Sequence, residues 1–448
     1  MSDRHKNDQK SIRAWITYDW ANSAYATTIL AAVLPAYFAA EVVGEDGVQL
    51  LGRTWTGQDL WAVVVGFGPL LMFLVTPLLG AIADFSGAKK RFLVVFAVWG
   101  ALVTSLLFFV TTGDVFLTLA LFLLADIGFV GANVFYDAFL PDLTTDETID
   151  MVSSRGFAWG YIGGGLHLLL SLALIQLSDG VIPIDTALAT RISIGSVGIW
   201  WLVFAVIAFK DLPETGVAQR MPDGDRPSRL QYVSIGLKST ISTTKLVVRN
   251  RPLLVFVVAF ILFNDGVQTT IAMASVYATE TLDLEITVVI GAVLIVQFIA
   301  FFGAMGFGRL SGRIGTKKAL MVSIVIWGLV ILAAYFLPAG AVGAFLALAV
   351  LIGFVLGGTQ ALSRSLYGSM IPAEQSAEFY GFFSVFSKFS AIWGPWLFAL
   401  VRQVTGSARL AILSIALLFL AGGLLFRTVD VDRGRGNRET LRAGVVVS

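Results

Sequence analysis

The sequence predicts an all-α integral membrane protein whose twelve transmembrane helices form two pseudo-symmetric six-helix bundles, with both termini in the cytoplasm. Three observations lead to this fold class. Only 14% of the 448 residues are charged and 57% are hydrophobic, whereas soluble domains average about 25% charged residues. Twelve apolar stretches each approach the roughly 20 residues that cross a bilayer. A glycine turn rich in cations, at 80–91, recurs in the corresponding place of the second half, at 308–318.

The apolar stretches fall into two sets of six. We expect the first set to span 20–40, 60–83, 92–110, 115–140, 156–178 and 192–209. The second set is expected at 252–279, 286–308, 319–337, 342–370, 379–401 and 410–426. These sets define an N-terminal six-helix bundle (1–209), a cytoplasmic linker (210–251), a C-terminal six-helix bundle (252–429) and a cytoplasmic tail (430–448).

The distribution of basic residues predicts the orientation. Of the 31 lysines and arginines, only four lie in the loops on one side of the predicted spans, and two more lie inside spans. All the others lie on the opposite side. Because short cytoplasmic loops carry the excess of Lys and Arg, we expect that side, which includes both termini, to be cytoplasmic.

The linker at 210–251 is the longest polar segment, with three prolines followed by a run dotted with Lys and Arg. One hypothesis makes it a regulatory or partner-binding loop. The interpretation we favour is a connector with a helix on the membrane surface, its cations facing lipid headgroups. The arginine-rich tail from Asp430 is predicted to be disordered.

The recurring glycine turn is the candidate gating loop, because glycines allow a tight turn and cations hold it on the cytoplasmic side. The two copies contribute Gly80, Asp84, Gly87, Lys89 and Lys90, and then Gly308, Gly315, Lys317 and Lys318. The halves also match at Asn22-x4-Thr-Thr-Ile and Asn264-x4-Thr-Thr-Ile. Parallel repeats of this kind place a substrate path on the axis between the halves.

Polar side chains inside spans are candidates for function, because ionisable groups are costly at bilayer depth. In the fourth span, Asp126, Asn133 and Asp137 share one helix face, and Tyr136 adds a hydroxyl. This stripe predicts a water-filled cavity, and the alternative is a hydrogen-bond network between helices.

The tenth span carries Gln360 and Arg364 on one face. The Arg364 guanidinium could clamp a substrate carboxylate in a bidentate fashion. It could equally form a structural pair with an acidic side chain such as Asp137, and the sequence leaves both open.

The remaining candidates are scattered over three spans. Asn22 and Tyr25 lie in the first span, and Asn264, Asp265 and Gln268 in the seventh. Lys388 in the eleventh span is either a substrate contact or counter-ion, or a lysine that snorkels to the interface. Asp19 is expected near the cytoplasmic boundary, and His167 is interpreted as a packing histidine.

Several function classes are disfavoured. There is no cysteine and there are only two histidines, so we expect no metal site and no cofactor. Neither a Gly-x4-Gly-Lys-Ser/Thr loop nor another catalytic motif occurs, which argues against direct ATP use and against an enzyme. The net charge of +1 and the short basic loops disfavour a nucleic-acid partner.

These features resemble the major facilitator superfamily, whose most general signature, G-x-x-x-D-x-x-G-x-+-+, is matched by Gly80 to Lys90. Within it, the segments Tyr18–Ile29, Phe263–Gly266 and Gly357–Leu366 are similar to the vacuole effluxer branch, relatives of a fungal autophagy protein that exports amino acids. The resemblance implies a cavity lined by helices one, four, seven and ten. It also implies a charge-relay gate at Asp84, which the second copy lacks because Gly312 stands in its place.

We therefore expect a secondary transporter that moves a small polar solute, with amino acids or related metabolites as the leading class, by alternating access. Coupled protons are expected partners, and because burial disfavours a charged carboxylate, Asp126 or Asp265 is the candidate for proton exchange. We further expect a monomer in the lipid bilayer of a bacterial cytoplasmic membrane. The alternatives are a drug or lipid exporter of the same fold, and a receptor or scaffold that transports nothing.

Overall fold

The computed structural model describes residues 6–50, 52–216, 218 and 229–444 and is almost entirely helical. The first group of helices comprises α1 (Gln9–Ala24), α2 (Val33–Tyr37), α3 (Gly57–Ser86), α4 (Lys89–Leu106), α5 (Val115–Ala138), α6 (Leu140–Leu143), α7 (Ile149–Leu177) and α8 (Thr186–Asp211). Two π-helical segments, Tyr25–Ala32 and Phe38–Val43, flank α2 and make the first span continuous. A two-stranded hairpin of β1 (Val48–Leu50) and β2 (Arg53–Trp55) precedes α3.

The linker contains α9 (Arg229–Arg249). The second group comprises α10 (Arg251–Glu280), α11 (Ile286–Ile314), α12 (Thr316–Phe336), α13 (Val342–Gly368), α14 (Ser376–Phe389), α15 (Trp393–Thr405), α16 (Ala408–Ser414) and α17 (Ala416–Arg427). Single 3₁₀ turns lie at Leu107–Phe109 and Ala373–Gln375, and the tail forms α18 (Val431–Gly436) and α19 (Arg438–Gly444). Helices of each group pack mainly on one another, and the groups meet where α7 contacts α11 and α3 contacts α14.

Eleven helical segments of the described chain are long and apolar enough to cross a membrane, so this is a multi-pass membrane protein. The expected span 60–83 corresponds to α3, which is not among these eleven segments. Within the described residues of α3, only Val75–Ser86 forms an apolar helix, and it is shorter than a membrane span. Several α3 side chains, at 67–71, 73 and 74, lie outside the described part. The count of twelve therefore stays a prediction.

The two glycine turns have the geometry expected of tight helix-to-helix connections. Gly87 ends α3 at φ +64° and Gly315 ends α11 at φ +88°, a backbone region that favours glycine because it has no Cβ. Each turn is followed within two residues by the next helix, α4 or α12. Lys90 and Lys318 project from the first turns of those helices.

The expected disorder of the tail is wrong for the part that the structure describes. Arg438 forms a two-pronged ion pair with Asp146, with N–O distances of 3.0 and 2.7 Å, and Arg442 lies 3.2 Å from Glu374. Leu441 is 2% exposed. Paired cations and one buried leucine hold the tail on the protein surface, which composition alone did not reveal.

The linker helix α9 packs against α3 and reaches α14, where the Ser239 hydroxyl donates to Glu378 at 2.7 Å. Its other face exposes Val233, Leu237 and Ile241. The residues 217 and 219–228 of the linker lie outside the described part. Neither of the two linker hypotheses is decided by this packing.

Candidate functional site

A cavity of about 1040 Å³ lies between the two helix groups. Its floor is formed by Asp19, Asp137 and Arg364, and from there it extends to Glu41 and Ile286, which are exposed at helix ends. We call the end with Glu41 and Ile286 the open end. The opposite end, which carries both glycine turns, is called the closed end.

Most of the side chains that the sequence singled out face this cavity. Its lining includes Asn22, Asn133, Tyr136, Asp137, Asn264, Gln268, Gln360, Arg364 and Lys388. Tyr25, Asp126 and Asp265 are buried but do not line it. The three polar residues predicted on one face of the fourth span therefore have different surroundings. Asn133 and Asp137 line the cavity, whereas Asp126 is buried in the protein and does not reach it.

Arg364 of α13 is held by carboxylates of the other helix group. Its Nη1 lies 3.0 Å from Asp137 Oδ1 on α5 and 3.6 Å from Asp19 Oδ2 on α1. Asp19 also accepts a hydrogen bond of 2.8 Å from the Tyr136 hydroxyl. The arginine side chain is only 4% exposed, so its charge is neutralised inside the protein.

The remaining donors of Arg364 are also occupied. Its Nε donates to Ser153 Oγ at 3.0 Å and its Nη2 to the Ser153 carbonyl at 2.9 Å. The guanidinium carbon lies 4.1 Å from the ring centre of Phe157 and 4.8 Å from that of Trp15, where aromatic faces attract cations. In this conformation Arg364 forms an ion pair with Asp137, which is the second of the two roles that the sequence left open.

Two hydrogen bonds that involve amide side chains add to the polar part of the cavity wall. Asn22 donates to Asn133 at 2.5 Å within the first helix group. The Tyr161 hydroxyl donates to Gln360 at 2.5 Å across the groups. The Tyr161–Gln360 contact therefore joins the two groups one helical turn from Arg364, on the side of the open end.

Asn264 and Asp265 bind residues at a break in the helix of the eleventh span. Helix α14 ends at Phe389 and α15 begins at Trp393. Both carboxylate oxygens of Asp265 accept from the Gly394 amide at 3.0 Å, and Asn264 donates to Ser390. Asp265 is thus an N-terminal cap of α15, where a negative charge is favourable, rather than a cavity group.

Asp126 and Tyr25 are buried polar residues of a different kind. The Oδ1 atom of Asp126 and the hydroxyl of Tyr25 are buried, and neither has a hydrogen-bond partner among the described residues. Tyr25 stacks on Phe129 with 4.6 Å between ring centres. A carboxylate in such surroundings is costly to keep charged, which keeps Asp126 a candidate for proton exchange.

The first glycine turn binds the second helix group at the closed end. Asp84 accepts from the amides of Ala377 and Glu378, at 3.3 and 2.9 Å, at the N-terminus of α14. Lys89 donates to Asp142 and to Ser376 Oγ, both at 2.7 Å. A helix N-terminus favours the Asp84 carboxylate electrostatically, so the turn joins α3 and α4 to α14.

The second glycine turn contacts the opposite helix group through residues that do not correspond to those of the first turn. Asp150, in the first turn of α7, accepts from Thr316 Oγ1 and Ser365 Oγ, both at 2.6 Å. Lys317 donates to the carbonyls of Arg427 and Val429 at the end of its own helix group. A carboxylate therefore joins the two helix groups at this turn as well, but it belongs to Asp150 of the opposite group and binds hydroxyl groups.

Glycines let these helices approach closely. A Cβ on Gly80 would lie 2.3 Å from the Ala377 carbonyl oxygen, and one on Gly308 would lie 2.6 Å from Ser154 Oγ. Both distances are shorter than van der Waals contact. The glycine at the start of each turn motif is thus required where α3 crosses α14 and α11 crosses α7.

Sequence reasoning missed several residues of this site. Ser153, Asp150, Asp142 and Ser376 carry the closed-end contacts but lie at span boundaries, where one polar residue carries little signal. Asp19 was expected at the boundary and instead reaches the cavity floor. His167 is a packing residue as expected, with its ring nitrogens 3.1 Å from Thr28 and 3.2 Å from Ser196.

Comparisons with known proteins identify the family. Residues 7–439 match the family described as "Vacuole effluxer Atg22 like". The MFS-type transporter YxiO of Bacillus subtilis (strain 168) is 32% identical over 428 residues, covering 95% of this chain and 96% of YxiO. Autophagy-related protein 22 of Coccidioides immitis (strain RS) is 23% identical and covers 98% of this chain and 89% of its own length.

Solved structures share the fold. The human organic anion transporter MFSD10 (TETRAN) aligns with a TM-score of 0.66 at 14% identity, covering 93% of this chain and 99% of MFSD10. FucP, a major facilitator superfamily transporter in the outward conformation, aligns with a TM-score of 0.68 at 13% identity, covering 94% and 99%. These relatives are transporters and not enzymes. The chain therefore belongs to the Atg22-like vacuole effluxer family of major facilitator superfamily transporters.

Proposed function

We propose that the protein moves amino acids or related small polar metabolites across a bacterial cytoplasmic membrane by alternating access. The observation that carries the mechanism is the 1040 Å³ cavity, open at one end and sealed at the other by the Arg364–Asp137 ion pair. A site that faces one side while the other side is closed is one of the two states that such a cycle requires.

Apolar side chains make up most of the cavity wall, and the amide side chains set among them favour a hydrophilic solute. Asn22, Asn133, Gln268 and Gln360 present amide groups, which can hydrogen-bond the ammonium and carboxylate groups of an amino acid. The family description, which names a vacuole effluxer, supports export from a compartment. The positive-inside bias supports a closed end in the cytoplasm.

The proposed architecture follows from the same reasoning. Residues 1–209 and 252–429 act as two moving bundles of six spans each, joined by the linker 210–251 and followed by the tail 430–448. Both termini lie in the cytoplasm, and the monomer is the functional unit. Proton exchange at Asp126 is the proposed coupling step.

A counterflow experiment tests the function. Purified protein in liposomes preloaded with one unlabelled solute is given the labelled solute outside, for a panel of amino acids, peptides, sugars, nucleosides and cationic drugs. Uptake confined to amino acids or similar metabolites is the expected result. Uptake of hydrophobic drugs alone would favour the exporter alternative, and no uptake of any solute would favour a receptor or scaffold.

A thermal-shift screen gives a second, independent readout. A ligand present at about a hundred times its dissociation constant stabilises the folded state by roughly 2.7 kcal/mol. Solutes that shift the melting temperature should be the same ones that are exchanged in counterflow. A protein that is stabilised by amino acids yet exchanges none of them would contradict the transport proposal.

A further inference from the structure

Lys388 is a cavity lysine with no close ionic partner. It lies in the last turn of α14 and lines the cavity. Among the residues that the structure describes, no carboxylate lies within the 4.0 Å of an ion pair from its ammonium group. Arg364, by contrast, has an ion-pair partner in Asp137, and each of its three guanidinium nitrogens already donates a hydrogen bond to Asp137 or Ser153.

The helix break directly after Lys388 fixes its position. The break lies between Phe389 and Trp393 and is clamped from α10 by Asp265 and Asn264. Interrupted helices in the middle of transporters commonly form solute and ion sites, because the break places backbone and side-chain groups beside the path. Lys388 lies in the last turn of α14 before this break, and its side chain lines the cavity.

Hydroxyl and amide side chains of α14 and α10 line the same cavity as Lys388. Ser384 lies one turn before Lys388 on the same helix, and Ser387 immediately precedes it; both line the cavity. Gln268 faces the cavity from α10, one turn beyond Asn264. A carboxylate has two oxygens that accept several hydrogen bonds, and this set offers an ammonium together with neutral donors.

Within the described part of the chain, the counter-charge of Lys388 lies at a distance. Asp126, on α5 of the opposite helix group, exerts an electrostatic attraction on it, although Asp126 is buried behind the cavity wall. Opposite charges attract each other more strongly near a protein surface than in bulk water, because the effective dielectric constant is lower. An incoming anionic group that reaches Lys388 directly therefore gains more than one that stays in water.

We propose that Lys388 is the anion-binding residue of the transport site and that it binds the carboxylate group of the solute. This inference rests on the proposed transport of small polar metabolites and narrows the substrates to those with a free carboxylate. Ser384, Ser387 and Gln268 are the neutral donors that complete the subsite. Asp126 provides the compensating charge while the subsite is empty.

Matched solutes test the inference by binding. The wild-type protein, Lys388→Gln and Lys388→Arg are compared in thermal-shift titrations with amino acids, with the corresponding amino-acid amides, and with the corresponding acids that lack the ammonium group. The wild type should bind both kinds of acid and not the amides. Lys388→Gln should bind the acids about tenfold or more weakly, the change expected for one lost hydrogen bond to a charged group, and Lys388→Arg should retain part of the affinity.

The control variant is Lys245→Gln, which makes the same substitution at an exposed lysine of α9 and should bind like the wild type. Because the chain contains no cysteine, Lys388→Cys can also be modified at one site only. Coupling an aminoethyl group by a disulfide restores a cation and should restore acid binding. A sulfonatoethyl group places an anion there and should not.

The results separate this inference from the proposed function. Amides that bind as well as acids, or a Lys388→Gln variant that keeps acid affinity, would overturn the carboxylate subsite even if the protein transports. Acid binding that depends on Lys388 without any counterflow would contradict transport alone. A wild type that binds none of the acids would overturn both proposals.

Discussion

Arg364 of α13 and Asp137 of α5 form a 3.0 Å ion pair that joins the two helix groups at the floor of the cavity. The arginine side chain is 4% exposed, and three aromatic rings lie within 5.4 Å of its guanidinium carbon. Apart from the Tyr161–Gln360 hydrogen bond, the hydrogen bonds between the groups described above lie at this level or nearer the closed end. The pair is therefore placed where opening of the closed end must break it.

The Arg364→Gln variant is expected to be strongly destabilised. Removing one partner of a buried ion pair typically costs about 3–5 kcal/mol, because the remaining charges lose their compensation. Unfolding of the purified protein measures the loss. The control is Arg402→Gln, whose pair with Glu280 is 45% and 52% exposed and should cost less than about 1 kcal/mol. Equal stability of the two variants would contradict a structural role for Arg364.

Alanine in place of Gly80 or Gly308 is expected to prevent tight closure, because the new methyl group would overlap Ala377 or Ser154. Labelling of a cysteine introduced at Ala361, a fully buried site near Arg364, measures opening of the closed end. Gly66→Ala and Gly312→Ala are matched controls, since a Cβ at either position meets no atom within 4 Å.

Overpacking of this kind typically costs about 1–3 kcal/mol. The cysteine should therefore react several times faster in the Gly80 and Gly308 variants than in the controls. Unchanged labelling in all four variants would show that the close crossings at α14 and α7 do not limit closure.

Asp265→Ala is expected to weaken the clamp on the broken eleventh span. The Gly394 amide would lose both acceptor oxygens, and a buried unsatisfied donor costs about 1–3 kcal/mol. The Asp265→Asn variant keeps one carbonyl oxygen and should lose less. Melting temperatures of the two variants check this order, and an Asn variant that is less stable than the Ala variant would contradict it.

Asp126→Asn is expected to reduce the pH dependence of transport. The asparagine has a similar shape but cannot exchange a proton, so a step that requires protonation at this position loses its sensitivity to pH. Counterflow and pH-driven uptake between pH 5 and 8 measure the effect. Asp265→Asn serves as the control and should retain the wild-type profile. An unchanged profile in Asp126→Asn would remove that residue from the coupling step.

The tail is expected to favour the state with the closed end shut. Arg438 belongs to the tail, and its partner Asp146 lies before α7 in the first helix group. Arg438→Glu should increase labelling of the cysteine at Ala361, and a second change, Asp146→Arg, should reverse the effect by restoring attraction. The pair is more than one-third exposed, so the expected effect is below about 1 kcal/mol. A double variant that labels as fast as Arg438→Glu would contradict a direct pairing.

The sequence alone determined the all-helical membrane class. Its long apolar stretches match the thickness of a bilayer, and it has too few charged residues to cover a soluble protein of this length. It also identified the repeated glycine turns, since Gly80 and Gly308 recur with the same spacing. Most cavity residues followed from the rule that polar groups inside spans are costly. These inferences need only local composition and periodicity, which the chain carries in short segments.

Only the tertiary structure decided which polar groups serve which purpose. Asp126 and Asp265 look alike in the sequence. Yet Asp126 has a buried oxygen with no hydrogen-bond partner among the described residues, and Asp265 caps α15. Arg364 could have bound a substrate, but Asp137 and Ser153 occupy its donors. Such assignments depend on residues more than a hundred positions apart that meet through helix packing, so local pattern does not contain them. The position of Lys388 in the cavity, without a close ionic partner among the described residues, became visible for the same reason.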